Sequence, residues 1–265
     1  MQKEAASHIR RIILQQAYRA RVGHIGSALC IADIVAALYW GGANIPAPEH
    51  PERDRVVFSK GHAALALYAA LFLKGWVSRG EIDSYCADGS ALGVHPDRSV
   101  RGVDFSTGSL GLGLSMAAGG ALAARLQGSR RRSFALLSDA ECNEGAVWEA
   151  AMFAAHHHLS NLLALVDLNG QQALGRTRDV LDMSPMGSKW SAFGWDVREV
   201  DGHDAGELSL ALEHPRHDAG KPRVSIARTI FGKGVPFMEG QLRWHYMPMT
   251  DEEYSTALAA LEAPR

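Results

Sequence analysis

The chain has 265 residues, of which 47% are apolar and 21% charged; that is enough to bury the core of one large domain, and a single domain over residues 1–265 is expected. A formal charge of -2 and a pI near 6.6 give no field favouring nucleic acid or an anionic membrane, so neither is expected as a partner. The N-terminus lacks the apolar core and cleavage site of a secretory signal, and no uninterrupted apolar run reaches the roughly 18 residues of a membrane span. Cys30, Cys86 and Cys142 are odd in number and widely spaced, which suits a reducing, cytoplasmic setting.

Ile9, Ile12, Ile13 and Ala17 place an apolar stripe on a first helix ending near "RVGHIG". A second helix is expected through "ADIVAALYW" to Gly41-Gly42. "DRVVFSKGHAALALYAALFLKG" reads as a short strand, a turn from Ser59 to His62 and a helix. After a polar loop, "VHPDRSVRGVDFSTGSLGLGLSMAAGGALAARL" combines irregular chain with a glycine-rich turn feeding a small-residue helix. The run Arg130-Arg131-Arg132 reads as solvated loop. "SFALLSD", "AVWEAAMFAAHHHL" and "NLLALVDLNG" then form a strand, helix and strand of the kind that builds parallel sheets. "GWDVREVDGHD" and "PRVSIARTIFGKG" add two strands with a helix, roughly Ala205 to Leu212, between them. The fold class is therefore α/β, with a mostly parallel sheet flanked by helices.

Asp139 and Asn169 follow the ends of two strands of one β-α-β unit, about thirty residues apart, and so should leave the same edge of the sheet, where open α/β sheets bind ligands. A carboxylate, an amide oxygen and a backbone carbonyl of "DLNGQQ" are hard donors suited to Mg²⁺ or Ca²⁺. The helix starting near Gly145 would offer N–H groups to a phosphate. The alternative on spacing alone is that Asp139 caps a helix and Asn169-Gly170 makes a turn. His156, His157 and His158 are consecutive and cannot converge on a metal as i, i+4 histidines can, so they read as a solvated helix end. Trp148 reads as packing, and Lys233 as a loop lysine.

"SDAECNEGAVWEAAMFAAHHHLSNLLALVDLNGQQ" resembles the thiamine-diphosphate signature in its transketolase version. "GHIGSALCIADIVAALY", "DRVVFSKGHAALALYAAL", "GVHPD", "STGSLGLGLSMAAG", "AFGWDVREVDGHD" and "WH" at 244 to 245 resemble further transketolase segments, in transketolase order. The resemblance implies a diphosphate-binding domain in which Asp139, Asn169 and the Gln171 carbonyl hold Mg²⁺. It implies that His62 and His245 lie near the diphosphate and the reacting carbon. Gly108, Ser109 and Leu110 would approach the aminopyrimidine, and Ala140 and Glu141 would belong to the cofactor turn. His24 and His95 would face a sugar or sugar-phosphate substrate and bind its hydroxyls or shuttle protons. Glu144 and Glu149 match carboxylates at a dimer interface.

The same resemblance implies that a two-carbon ketol unit is passed from a ketose to an aldehyde acceptor, the cofactor acting as electron sink. The pyrimidine-binding and C-terminal domains of such enzymes have no counterpart before "LAALEAPR". The chain thus resembles the N-terminal subunit of a split transketolase, inactive alone and expected to work with a pyrimidine-binding subunit in an α2β2 assembly. A 2-oxo acid dehydrogenase α subunit shares the metal motif, but "WEA" and "WH" argue against it; a non-catalytic paralogue that scaffolds or regulates a transketolase is the other alternative. Ser138 and Ala140 stand where the family has glycines, Ile25 where it usually has Pro, Leu112 where Gln is common and Tyr246 where Gly often follows the last His. The substitution at 140 leaves diphosphate binding possible if the residue does not need a positive φ.

Overall fold

The computed structural model describes residues 1–213 and 220–262. Among them the strands are β1 (Arg55–Phe58), β2 (Ser133–Ser138), β3 (Leu162–Leu168), β4 (Gln171–Gln172), β5 (Gly175–Arg176), β6 (Asp196–Asp201) and β7 (Arg223–Arg228). Five of them form one sheet in the order β1-β2-β3-β7-β6, each neighbouring pair parallel, while β4 and β5 make a small antiparallel hairpin. The α-helices are α1 (Gln2–Ala20), α2 (Ile25–Leu29), α3 (Ala32–Ala37), α4 (Ala64–Leu73), α5 (Arg79–Ile82), α6 (Gly113–Leu126), α7 (Gly145–His156), α8 (Thr177–Val180), α9 (Met186–Ala192), α10 (Ala205–Leu212), α11 (Arg243–Tyr246) and α12 (Asp251–Glu262). This is the expected parallel sheet flanked by helices.

Strand side chains alternate between two apolar layers, as the two-residue period of a strand requires. Phe58, Phe134, Leu136, Leu163 and Leu165 face the layer holding α1, α3 and α4. Val57, Ala135, Leu137, Ala164 and Val166 face the layer holding α6 and α7. Both faces being covered explains why β2 and β3 read as continuous apolar runs rather than as alternating patterns. The small residues of α6, Ala117, Ala118, Ala121 and Ala124, are all buried, which lets that helix lie close to the sheet.

Helix α1 presents the expected stripe and ends at Arg21, whose left-handed φ of 53° stops it. The expected second helix over "ADIVAALYW" is α3, which ends at Ala37 and passes into a wide turn over Leu38–Gly42, and the short helix α2 precedes it; periodicity alone does not show that change at Leu38. Ile25–Gly42 is long and apolar enough to cross a membrane by length and composition, but 78% of it is buried inside the protein. Within it Asp33 is paired with Arg10 at 2.5 Å.

Of the three arginines at 130–132, Arg130 is exposed as expected, but the other two are not simply solvated loop. Arg132 pairs with Asp54 at 2.9 Å and donates to the Gly42 and Leu212 carbonyls at 2.6 and 2.9 Å. Arg131 donates to the Pro51 carbonyl at 2.9 Å. The reason is their position just before β2, on the edge opposite the site, where incoming loops leave carbonyls that need donors. His156 ends α7 and is exposed, as expected. Trp148 donates to the Cys142 carbonyl at 2.8 Å and packs on Trp190 and Phe193.

Candidate active site

Strand β2 ends on Ser138 and β3 on Leu168, so in a parallel pair Asp139 and Asn169 leave the same edge of the sheet. The Asp139 amide continues the ladder by donating to the Asp167 carbonyl at 3.1 Å. The Asp139 carboxylate is buried, with Oδ1 accepting from the Ala140 N–H at 2.9 Å and Oδ2 from the Gly170 N–H at 2.8 Å. Asp139 therefore caps the short 3₁₀ turn Ala140–Asn143, and the same side chain reaches across to the turn after β3. Burial, and then the nearby Asp167 carboxylate, push its pKa up to about 7, against the pull of the two amides.

Asn169 is oriented on both sides. Its Nδ2 donates to Asp167 Oδ2 at 2.6 Å and its Oδ1 accepts from the Gln171 N–H at 2.9 Å. Thr177 closes the base of the β4-β5 hairpin, its N–H donating to the Gly170 carbonyl at 3.1 Å and its hydroxyl to Asp139 at 3.4 Å. Among the described residues no group of three or more His, Cys, Asp or Glu side chains surrounds a metal position. What the edge does offer is a mixed set of hard oxygens from Asp139, Asn169 and the Gln171 backbone. That set fits Mg²⁺, since a cation beside Asp139 would offset the cost of burying its charge.

Behind this edge lies a buried ion pair. Lys60 Nζ is 2.5 Å from Asp167 Oδ2, and both side chains are wholly excluded from solvent. The same ammonium donates to the Ser27 carbonyl at 3.2 Å; Asp167 also accepts from the Cys30 thiol at 3.2 Å and from the Thr229 hydroxyl. Burial alone would push the Asp167 carboxyl up, but Lys60 and these donors outweigh it and hold the pKa below its ordinary value.

On the other side of Lys60 three imidazoles meet. The rings of His24 and His245 are 4.9 Å apart, those of His24 and His62 5.3 Å, and those of His62 and His245 5.6 Å. His24 sits in the left-handed region at φ 59° and its N–H donates to the His245 carbonyl at 3.0 Å. Gly23 before it is required, because a Cβ there would lie 2.4 Å from the Tyr246 carbonyl oxygen. Ser27 Oγ lies 3.5 Å from His245 Nδ1, so a contiguous chain of contacts runs from His245 through Ser27, Lys60 and Asp167 to Asn169. Burial, followed by Lys60 and the neighbouring rings, holds His62 well below the ordinary histidine value; burial, then His24 and Lys60, lower His245 to about 4. His24 is also lowered, chiefly by burial. The three rings are neutral at neutral pH and can accept hydrogen bonds or protons.

The glycine-rich turn borders the same space. A Cβ on Gly61 would come within 3.1 Å of the Gly108 N, and one on Gly108 within 3.4 Å of the His95 ring. His95 is thus beside Gly108 but exposed, at the rim of the group rather than among the three packed rings. Ser109 is exposed and Leu110 half-buried on that turn. Gly111 has φ 89°, and its N–H donates to Glu141 Oε1 at 2.8 Å. Glu141 is fully buried and also accepts from the Ser59 hydroxyl and, at 3.2 Å, from the Ser138 N–H.

These contacts account for the missing glycines. The non-glycine residues with positive φ are Arg21, His24, Cys86 and His158 among those described, so neither Ser138 nor Ala140 needs the freedom of glycine. Ser138 has a use for its side chain, Oγ accepting the Glu141 N–H at 3.1 Å. The Ala140 N–H is directed at Asp139 in this arrangement. Glu144 and Glu149 are exposed; Glu144 closes the turn that Asp139 caps and lies against the glycine-rich turn, where a Cβ on Gly111 would come within 2.7 Å of the Glu144 Cβ. Lys233 lies on the turn after β7, where its carbonyl accepts from Arg10 Nε at 3.1 Å.

Sequence reasoning missed Lys60, Asp167, Ser27 and Ser59. A signal was present, since "VVFSKGH" and "LLALVDLN" each set one charge against an apolar strand, and charges are seldom buried unless paired.

The description "Transketolase, thiamine diphosphate binding domain" belongs to a family model that matches residues 1–262. A 6-deoxy-6-sulfo-D-fructose transketolase subunit of Clostridium sp. (strain MSTE9) is 42% identical over 260 residues, covering 97% of this chain and 94% of that protein. An apulose-4-phosphate transketolase subunit of Phocaeicola vulgatus is 37% identical, covering 94% of this chain and 89% of that protein. The crystal structure of transketolase from Campylobacter jejuni superposes with a TM-score of 0.92 at 30% identity, covering 98% of this chain and 42% of that one. The chain belongs to the transketolase thiamine diphosphate binding domain family.

Proposed function

We propose that this chain binds thiamine diphosphate with Mg²⁺ held by Asp139, Asn169 and the Gln171 carbonyl and, with a pyrimidine-binding subunit, transfers a two-carbon ketol unit from a ketose or ketose phosphate to an aldehyde. The observation that carries this reading is the convergence of Asp139, Asn169 and three neutral imidazoles on one sheet edge, joined through Lys60 and Asp167. Ca²⁺ would suit the same oxygens. When bound, thiamine diphosphate supplies the electron sink for cleaving the ketose carbon-carbon bond.

The chain's own groups then have separate work. Asp139 and Asn169 hold the cation; Gly108, Ser109 and Leu110 form the wall for the cofactor's ring, with Ala140 and Glu141 shaping the turn beneath it. His62 and His245 serve the diphosphate and the reacting carbon, while His24, and His95 from the rim, accept hydrogen bonds or protons from sugar hydroxyls. Relatives named for a sulfofructose and for apulose 4-phosphate support an anionic sugar as substrate. Those relatives are named as one subunit of a transketolase rather than as the whole enzyme, which supports a partner chain; we place the two in an α2β2 assembly with Glu144 and Glu149 toward an interface. The free thiols of Cys30, Cys86 and Cys142 support a cytoplasmic location.

The test is calorimetric titration of thiamine diphosphate and Mg²⁺ into the co-purified subunits, with a ketol-transfer assay beside it. Wild type should bind and transfer, and Asp139→Ala should lose both. Full transfer by the variant would refute the cation assignment; absence of binding by wild type would refute the function.

A further inference from the structure

The β4-β5 hairpin begins two residues after Asn169, and its tip is fixed to a distant loop by one side chain. The Tyr246 hydroxyl donates to the Ala173 carbonyl at that tip. The Tyr246 ring packs edge-on against His245 with centroids 5.0 Å apart, and its backbone carbonyl lies over Gly23, next to His24. A second, weaker tie joins the same segments, Gln171 Nε2 donating to the Gly240 carbonyl at 3.3 Å. Tyr246 is itself 53% exposed, so burial of its ring does not explain its placement.

From this geometry we infer that Tyr246 is a positioning residue that clasps the cation-binding hairpin to the imidazole loop. The inference rests on the proposed function for its consequence, since the hairpin carries the Gln171 carbonyl assigned to Mg²⁺. Through this clasp the spacing between the Gln171 hairpin and His245 is set at the mouth of the site, independently of the buried Lys60-Asp167 pair at its floor. Leu174, beside Ala173, is 78% exposed and contributes no burial that would hold the tip. The hydroxyl thus restrains the tip itself, beyond the β4-β5 pairing and the Thr177 contact at the hairpin's base.

Tyr246→Phe keeps the ring against His245 and deletes only the clasp. Two measurements on wild type and variant test the inference. In the full chain without ligands, amide exchange across residues 170–176 should rise about fivefold, the equilibrium effect of one ordinary net hydrogen bond, with exchange in β2 and β3 unchanged. In the assembled complex, the Mg²⁺ concentration that half-saturates thiamine diphosphate binding should rise by a similar factor, while Tyr246→Gly, which also removes the ring, should do at least as much. Unchanged exchange at 170–176, or an unchanged Mg²⁺ requirement in a complex that binds the cofactor, overturns the clasp. Failure of the wild-type complex to bind the cofactor overturns the functional reading instead, and the exchange result still decides whether the clasp exists.

Discussion

The buried carboxylate of Glu141 accepts the Gly111 N–H at 2.8 Å, tying the loop after β2 to the glycine-rich turn that opens α6. Burial pushes this carboxyl up, while Ser59, Gly111 and Ser138 pull it back down, with a net rise. Glu141→Gln keeps the shape but turns an N–H toward one of the donors, leaving a buried polar group unsatisfied. The expected cost is about 1–3 kcal/mol of stability, read by urea unfolding. Weaker thiamine diphosphate binding should accompany it, because the turn would lose its anchor.

Ala140→Gly tests the meaning of the departures from the family's glycines. Ala140 does not occupy the positive-φ region, so restoring glycine gives the backbone freedom it does not use. Cofactor affinity should stay within about twofold of wild type, and stability should fall by roughly 0.5–1 kcal/mol. A large gain in affinity on titration would show instead that the alanine side chain obstructs the turn.

The sheet, the helix at Ala205–Leu212 and the shared edge of Asp139 and Asn169 are legible in the sequence because each rests on local pattern: apolar runs, strand-helix-strand spacing and parallel direction. The end of α3 at Ala37 is not, since apolar residues continue through Leu38, Tyr39 and Trp40 and no Gly or Pro marks the change before Gly41. The site is legible where a motif carries it, at His24, His62 and His245. The Lys60-Asp167 pair is hidden because its partners lie far apart in sequence and meet only when β1 and β3 flank β2. Arg131 and Arg132 pass for solvated loop for the same reason, as their acceptors come from distant segments.

Lys60→Met should be among the most damaging single changes. It leaves Asp167 charged, buried and short of its cation, a change expected to cost about 3–5 kcal/mol. Lys60→Met combined with Asp167→Asn removes the stranded charge and should recover a good part of that loss. Denaturant unfolding of the two single variants and the double variant gives the coupling directly, and additive losses would show that the pair is not a unit.

The imidazole cluster makes the fold sensitive to acid, with a definite sign. His245 has a folded pKa near 4 and His62 lies well below its ordinary value, in each case chiefly through burial. Between pH 6.5 and 4 these two rings therefore bind protons in the unfolded chain that they do not bind in the folded one, so their contribution to stability falls as pH is lowered through that window and is restored above it. Asp139 opposes them, because its raised pKa lets it take up a proton in the folded chain over the same range. Because His245 is partly exposed, its share is on the order of 1 kcal/mol after allowing for solvent screening. His62→Gln with His245→Gln should remove the rings' share of the dependence, measured as the change in the urea midpoint against pH over this range relative to wild type. An undiminished slope in the double variant would mean that the acid sensitivity arises from other groups, and that the two rings take up protons in the folded chain as readily as in the unfolded one.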